Sequence, residues 1–184
     1  MTERQPQVLD LEKIIRSRAG SKAKYIPQFL INWFKRLAHQ DYINEYLKEG
    51  YVGVDFCENC LKYLGVEIEV RGLENLPEDG RVYTFASNHP LGAIDGVTLG
   101  AIIGRQYDGK VKYLLNDLLM NLKGMAPLGI PVNKIGGQAR NLPRLIDEAF
   151  HSDNHMLVFP AGLCSRKIDG KIQDLPWGKA FISK

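Results

Sequence analysis

The chain has 184 residues, 45% of them hydrophobic, and a formal charge of only +3, which suits one folded domain with a real core and gives no electrostatic case for nucleic acid. No apolar run reaches the ~18 residues a membrane-crossing helix needs, and the N-terminus MTERQPQVLDLEK is polar and acidic, unlike a signal peptide. Three cysteines give no disulfide framework, so a cytoplasmic protein is expected, one that can lie peripherally on the inner face of the cell membrane.

In chain order, residues 8 to 49 read as helices. Ile26, Phe29, Leu30, Trp33, Phe34 and Leu37 fall at helical spacing, and Tyr42, Ile43, Tyr46 and Leu47 repeat the pattern. Arg16, Arg18, Lys22 and Lys24 precede the first apolar stripe, and Lys35 and Arg36 adjoin it. That composition fits a helix whose stripe packs on the core, and also a helix lying in a lipid interface. The period changes at Val66. VEIEVRG alternates as a strand, LENLPEDG supplies a turn, and RVYTFAS is a second strand running into Asn88-His89. A helix from Asp95 to about Gly104 follows, then the strand VKYLL, a helical NDLLMNL and a Gly/Pro-rich passage from Gly124 to Gly137. A helix over Gln138 to Phe150, the strand HMLVFP and the loop AGLCSRKIDGK come next. The closing WGKAFISK reads as the opening of a helix, as though a last portion were missing. The expected organisation is an N-terminal helical segment, residues 1–65, and an α/β domain, residues 66–184, with a mixed, largely parallel sheet flanked by helices.

Several short patterns carry chemistry. A strand ending in His89, followed by Pro90 and Gly92, turns back sharply, so Asp95 in the next helix can hold one imidazole nitrogen and leave the other to take a proton. On spacing alone a catalytic pair and a well-made corner are both open. Lys134 ahead of IGG offers an anion site or a solvated lysine, and Gly162 a close approach or a simple turn. Three other patterns fail. GRQYDGK nearly spells a phosphate loop, but Val111 stands where a Ser or Thr would hold magnesium. Cys57 and Cys60 with His151 and His155 have zinc-ligand types, yet about 90 residues separate the pairs. Cys164 as a nucleophile lacks a Gly-x-Ser-x-Gly-like elbow, and a small buried cysteine is the commoner fate.

Taken together, Asn88-His89 with Asp95, the preceding Gly72-Leu73-Glu74-Asn75-Leu76-Pro77, the block Gly129-Ile130-Pro131-Val132-Asn133-Lys134, and Val158-Phe159-Pro160-Ala161-Gly162 with Ser165 resemble the ordered signature blocks of the glycerolipid acyltransferases, the lysophosphatidate acyltransferase superfamily. The spelling NHPLGxxDG with FPAG looks like the hemolysin-like branch, some of whose members acylate lyso-aminolipids. Three departures stand out. Pro90 to Ile94 is one residue longer than the family's His-to-Asp spacing, Ala161 replaces a glutamate, and Lys134 replaces an arginine, keeping charge and losing its bidentate fork.

The resemblance implies transfer of a fatty acyl group from a thioester, acyl-CoA or acyl carrier protein, to the hydroxyl of a lysolipid. His89 would be the general base, Asp95 would orient it, and Asn88, Asn133, Lys134, Gly162 and Ser165 would contact substrate, with oxyanion donors around Ala161-Gly162. No metal or bound cofactor is implied, and the expected partners are the two substrates, a membrane surface and acyl carrier protein rather than nucleic acid. A lipid-binding protein of the same fold and a thioesterase-like hydrolase are the rival expectations.

Overall fold

The computed structural model describes residues 4–116, 119–132 and 141–179. Three helices open the chain: α1 (Leu11–Ala19), continued by a 3-10 turn at Gly20–Tyr25, α2 (Gln28–Leu37) and α3 (Gln40–Lys48). Asp10 caps α1 by accepting from Lys13 N–H. On α3 the buried amide of Asn44 brackets Leu9, accepting from its N–H at 2.7 Å and donating to its carbonyl at 3.0 Å, while Gln40 accepts from Leu11 N–H. Two buried polar side chains thus supply the N-terminal segment with backbone partners.

Helix α4 (Gly53–Tyr63), which no periodicity announced, packs along α5 (Ala93–Gln106). Four strands form one parallel sheet in the order β1-β4-β2-β3: β1 is Thr84–Ala86, β2 Val111–Asn116, β3 Gly129–Val132 and β4 His155–Val158. The sheet is covered on both faces. Val111, Tyr113, Leu115 and Leu157 join Phe56, Cys57, Leu61, Ala101 and Ile103 from α4 and α5, and Tyr46 and Leu47 from α3 enter that same core. Ile130 and Met156 face Leu142 and the apolar stripe of α6 (Leu142–Phe150). All four residues of β4, a central strand, are buried, as expected where both faces are covered. Arg105 of α5 reaches Glu58 at 2.6 Å and Asp55 at 3.3 Å, pinning the solvent side of the α4–α5 pair.

The approach of α5 to its neighbours depends on small residues one helical turn apart. A Cβ on Gly100 would lie 2.1 Å from the Tyr113 hydroxyl, and one on Gly104 would lie 2.5 Å from Val54. Tyr113 uses that space to donate its buried hydroxyl to Gly96 C=O at 2.7 Å.

Several expectations need correction. The alternating Val66–Gly72 forms no strand, and β1 pairs with β4 instead of with it. The side chains of Val66, Ile68 and Val70 instead line an open groove of about 510 Å³ with Leu61, Ala101 and Ile102. NDLLMNL contributes only a 3-10 turn at Leu119–Asn121 among the described residues, and α6 begins at Leu142. The short β3 lies inside the Gly/Pro-rich passage, and the supposed loop after β4 contains an antiparallel hairpin, β5 (Arg166–Ile168) and β6 (Lys171–Gln173). Trp177 to Lys179 have no regular structure. No helix among the described residues is long and apolar enough to cross a membrane.

At the N-terminal end of β4, His155 is buried with its ring tilted against Tyr107, centroids 3.9 Å apart, and its Nδ1 accepts from Tyr83 N–H at 3.1 Å. Burial, with the Lys110 charge nearby, holds the imidazole pKa below its ordinary 6.5. The unfolded chain therefore binds that proton more readily, so the stability held in His155 is complete above about pH 6.5 and is lost as pH falls toward the lower folded value. The carboxylates of Asp79, Glu58 and Asp153, held low by hydrogen bonds from Arg81, Arg105 and Lys110, add their losses only further down. Urea titrations should show lower stability at about pH 5.5 than at about pH 7.5, and His155→Gln should flatten that slope.

Candidate active site

In a parallel sheet every strand ends at the same edge, and loops leaving that edge are where α/β proteins assemble their sites. Because β1 and β4 are neighbours, the loops carrying Asn88-His89 and Phe159-Pro160 emerge side by side, and Ser87 N–H extends the pairing by donating to Val158 C=O at 3.0 Å.

The turn after His89 accommodates its extra residue through Gly92, whose φ of 74° and ψ of −123° suit only glycine. Asp95 N–H donates to Gly92 C=O at 3.1 Å, which starts α5 with Asp95 in its first turn, where the helix dipole favours a carboxylate. One oxygen of Asp95 then collects two donors. Its Oδ2 lies 2.8 Å from Leu91 N and 3.1 Å from His89 Nδ1. An ionised carboxylate only accepts, so Nδ1 carries the hydrogen and Nε2 is left as the basic nitrogen. Among the described residues nothing bonds to Nε2. The His89 side chain is 17% exposed and Asp95 13%, so the pair is shielded and still reachable.

The third element is Phe159. Its ring stacks on the imidazole with centroids 4.2 Å apart and planes 26° from parallel, closing one face of His89. Phe159 belongs to the FPAG block, but its role as a platform depends on β1 and β4 being adjacent and could not be read from spacing. Ser165 N–H donates to His89 C=O at 2.9 Å, so the loop after β4 is also tied to the backbone of the histidine.

Other expected residues fall out differently. Asn88 is exposed beside His89, and its carbonyl accepts from Ser87 Oγ–H at 2.9 Å. Gly162 donates its N–H to Phe159 C=O at 2.8 Å, so this amide is not available to an oxyanion. No atom lies within 4 Å of where a Cβ would stand on Gly162, and its positive φ of 67°, not close packing, is what calls for glycine. Ser165 directs its hydroxyl to Asp174. Asn133 and Lys134 lie outside the described residues. Cys164 is exposed, with its Sγ against Gly92 and without a hydrogen bond to His89, so His89 is not placed to activate it as a nucleophile. Among the described residues no group of three His, Cys, Asp or Glu side chains could hold a metal.

Comparison with known proteins gives a consistent picture. Residues 13–184 match the protein family described as Acyltransferase. The chain is 53% identical over 186 aligned positions to a lyso-glycine lipid O-acyltransferase of Phocaeicola vulgatus, with all of this chain and 66% of the relative covered. It is likewise 53% identical to a lyso-glycine lipid O-acyltransferase of Bacteroides thetaiotaomicron, of which 68% is covered. The chain thus spans about two thirds of the length of the curated relatives it matches. No solved structure matches it significantly.

The Gly92 turn can be tested without any substrate. Gly92→Ala forces a side chain into a glycine-only conformation and brings its Cβ to 3.2 Å from Cys164 Sγ, so it should cost about 1–3 kcal/mol of unfolding free energy. Chemical denaturation of both proteins measures this, and an unchanged midpoint would mean the turn relaxes freely.

Proposed function

The chain belongs to the acyltransferase family, and from that premise we propose that it transfers a fatty acyl group from an acyl thioester, acyl-CoA or acyl carrier protein, to the hydroxyl of a lysolipid. The observation carrying this reading is the His89–Asp95 pair, with nothing among the described residues bonded to its Nε2, at the sheet edge where neighbouring loops converge.

In this reading His89 Nε2 takes the proton of the acceptor hydroxyl while Asp95 holds Nδ1–H. The acceptor oxygen forms a bond to the thioester carbonyl carbon. The resulting tetrahedral oxyanion collapses, the C–S bond breaks, and the thiolate leaves with the proton from the imidazolium. The positive charge that develops on the ring has the Asp95 carboxylate beside it and the Phe159 face beneath it. Asn88, Asn133 and Lys134 are proposed substrate contacts, with Lys134 facing an anionic group. The acceptor is proposed to be a lyso-amino-acid lipid of the kind named for the two relatives.

The lysolipid acceptor partitions into bilayers, and the N-terminal helices present a matching surface. On α2, Phe29, Trp33 and Leu37 recur every fourth residue and are 74%, 54% and 59% exposed; only Ile31 of that helix is buried. From Lys13 to Gln40 the sequence has no Asp or Glu, while Lys22, Lys24, Lys35 and Arg36 flank the apolar row. We assign this face to an anionic lipid surface.

The reaction is tested by thiol release from acyl-CoA or acyl carrier protein with and without lyso-glycine lipid. Release only with the lipid supports the transferase, release without it supports the hydrolase, and none with either donor supports a lipid-binding role. His89→Ala should remove nearly all turnover per folded molecule and Asp95→Asn a large part of it, on the order of 10²–10⁴-fold. A folded His89→Ala protein with parental activity would end the mechanism.

The lipid face is tested by replacing Phe29, Trp33 and Leu37 together with serine. Deleting the N-terminal helices would be less clean, because Tyr46 and Leu47 belong to the core. The triple variant should keep the parental melting temperature and sediment several-fold less with anionic vesicles; unchanged sedimentation would return α2 to a purely structural role.

A further inference from the structure

The loop from Phe159 to Ser165 is the wall against which His89 is set, and identifiable attachments hold it at both ends. At its start Phe159 follows β4 and stacks on the imidazole. At its end Ser165 N–H holds His89 C=O. Two further ties come from residues that follow the β5–β6 hairpin. Gly178 N–H donates to Pro160 C=O at 2.9 Å, and the Ser165 hydroxyl donates to Asp174.

The hairpin has little reason to form by itself. It pairs Lys167 with Ile172 and Ile168 with Lys171 around Asp169 and Gly170, whose φ values of 50° and 81° suit a tight two-residue turn. Five of its six strand residues are exposed, Ile172 by 79%, so it packs on no core, and an isolated two-stranded hairpin is marginal in water. Its geometric effect is to bring Asp174 back to Ser165 across nine positions. These two residues are half-buried while Cys164, Arg166 and Gln173 beside them are exposed.

We propose that Asp174 is a positioning residue for the proton transfer at His89. Acting through Ser165, it fixes the loop that carries both the Ser165 N–H on the histidine backbone and the Phe159 ring on the histidine face. Asp174 touches no reacting atom. It sets where Nε2 points, and in acyl transfer a small misplacement of a base is expensive. Ser165 accordingly serves as the link in this brace rather than as a substrate contact. The proposal rests on the reading of His89 as the base, so its test needs a readout that does not require turnover.

Asp174→Ala and Ser165→Ala should each lower kcat on the order of 10- to 100-fold, with KM for donor and lysolipid within about twofold of the parent. The double variant should be no worse than either single one, because both remove the same brace. Asp174→Asn retains a side-chain carbonyl that accepts from Ser165 Oγ–H and should restore most of the rate. In parallel, the ring carbon resonance of His89, identified among the four histidines by its loss in His89→Gln, should move together in both alanine variants and return in Asp174→Asn. Parental kcat in Asp174→Ala, additive losses in the double variant, or a His89 resonance that does not move would overturn the proposal. Should the parent show no acyl transfer while the resonance still moves, the brace stands and the transferase reading falls.

Discussion

The hydroxyl of Tyr113 ties the centre of the sheet to the first turn of α5. A buried phenol must keep its proton and find an acceptor, and burial raises its pKa accordingly. Its acceptor is the carbonyl of Gly96, the residue after Asp95, and the contact exists because Gly100 has no side chain in the way. The position of the Asp95 carboxylate along and around its helix is therefore referred to β2. Were α5 to ride outward by the thickness of a methyl group, Asp95 would move away from His89, which is held from the other side by β1. The precision of a 3.1 Å contact between residues on two elements is thus a packing property of the core.

The same logic explains how the loop tolerates its extra residue. In a regular strand-to-helix turn another position would rotate the carboxylate off the ring. Gly92 absorbs it in a conformation closed to other residues, and Leu91 N–H takes up the Asp95 oxygen that the ring shares. The carboxylate has a role in the turn and a role in the pair, so a well-made corner and a catalytic pair place the same demand on Asp95. A backbone donor and an imidazole donor on the same Oδ2 leave Asp95 little rotamer freedom, which is what orienting a base requires.

How much of this could be read in the sequence follows the range of the interactions. His89 and Asp95 are six residues apart with the turn chemistry between them, so their meeting was legible, as were β2, β4 and the extent of α5. The platform Phe159 was visible as part of a block, but its contact with His89 arises only because strands first and fourth in the chain are neighbours. Strand β3 was hidden by composition: Pro131 cannot donate to a ladder, and it is tolerated because β3 is an edge strand. The segment Val66–Gly72 failed for the converse reason. Its alternation is genuine, yet alternation specifies two faces and cannot supply a partner strand, and its apolar side chains lie against α4 and α5 instead. The Ser165–Asp174 contact had no local signal, since it depends on how a hairpin with almost no buried side chains closes.

The composition of the wall opposite Asp95 bears on which acceptor the site suits. Where the resemblance leads one to expect a glutamate, position 161 is alanine, and the neighbouring groups are the Phe159 ring, the Pro160 carbonyl and the Gly162 turn. The Asp174 carboxylate of the brace already has the Ser165 hydroxyl as a donor. Alanine at 161 thus removes a carboxylate from that position, and with it an acceptor for hydroxyl groups. A glutamate grips hydroxyl groups well but repels a carboxylate, and like charges placed close together in a shielded cleft cost several times what they cost in water. An acceptor carrying negative charge near this wall would meet that repulsion in a glutamate-bearing site and meets none from residue 161 here. On the proposed reading, the change at residue 161 is then a matter of charge compatibility with the acceptor, and the chemistry at His89 and Asp95 is left as it was.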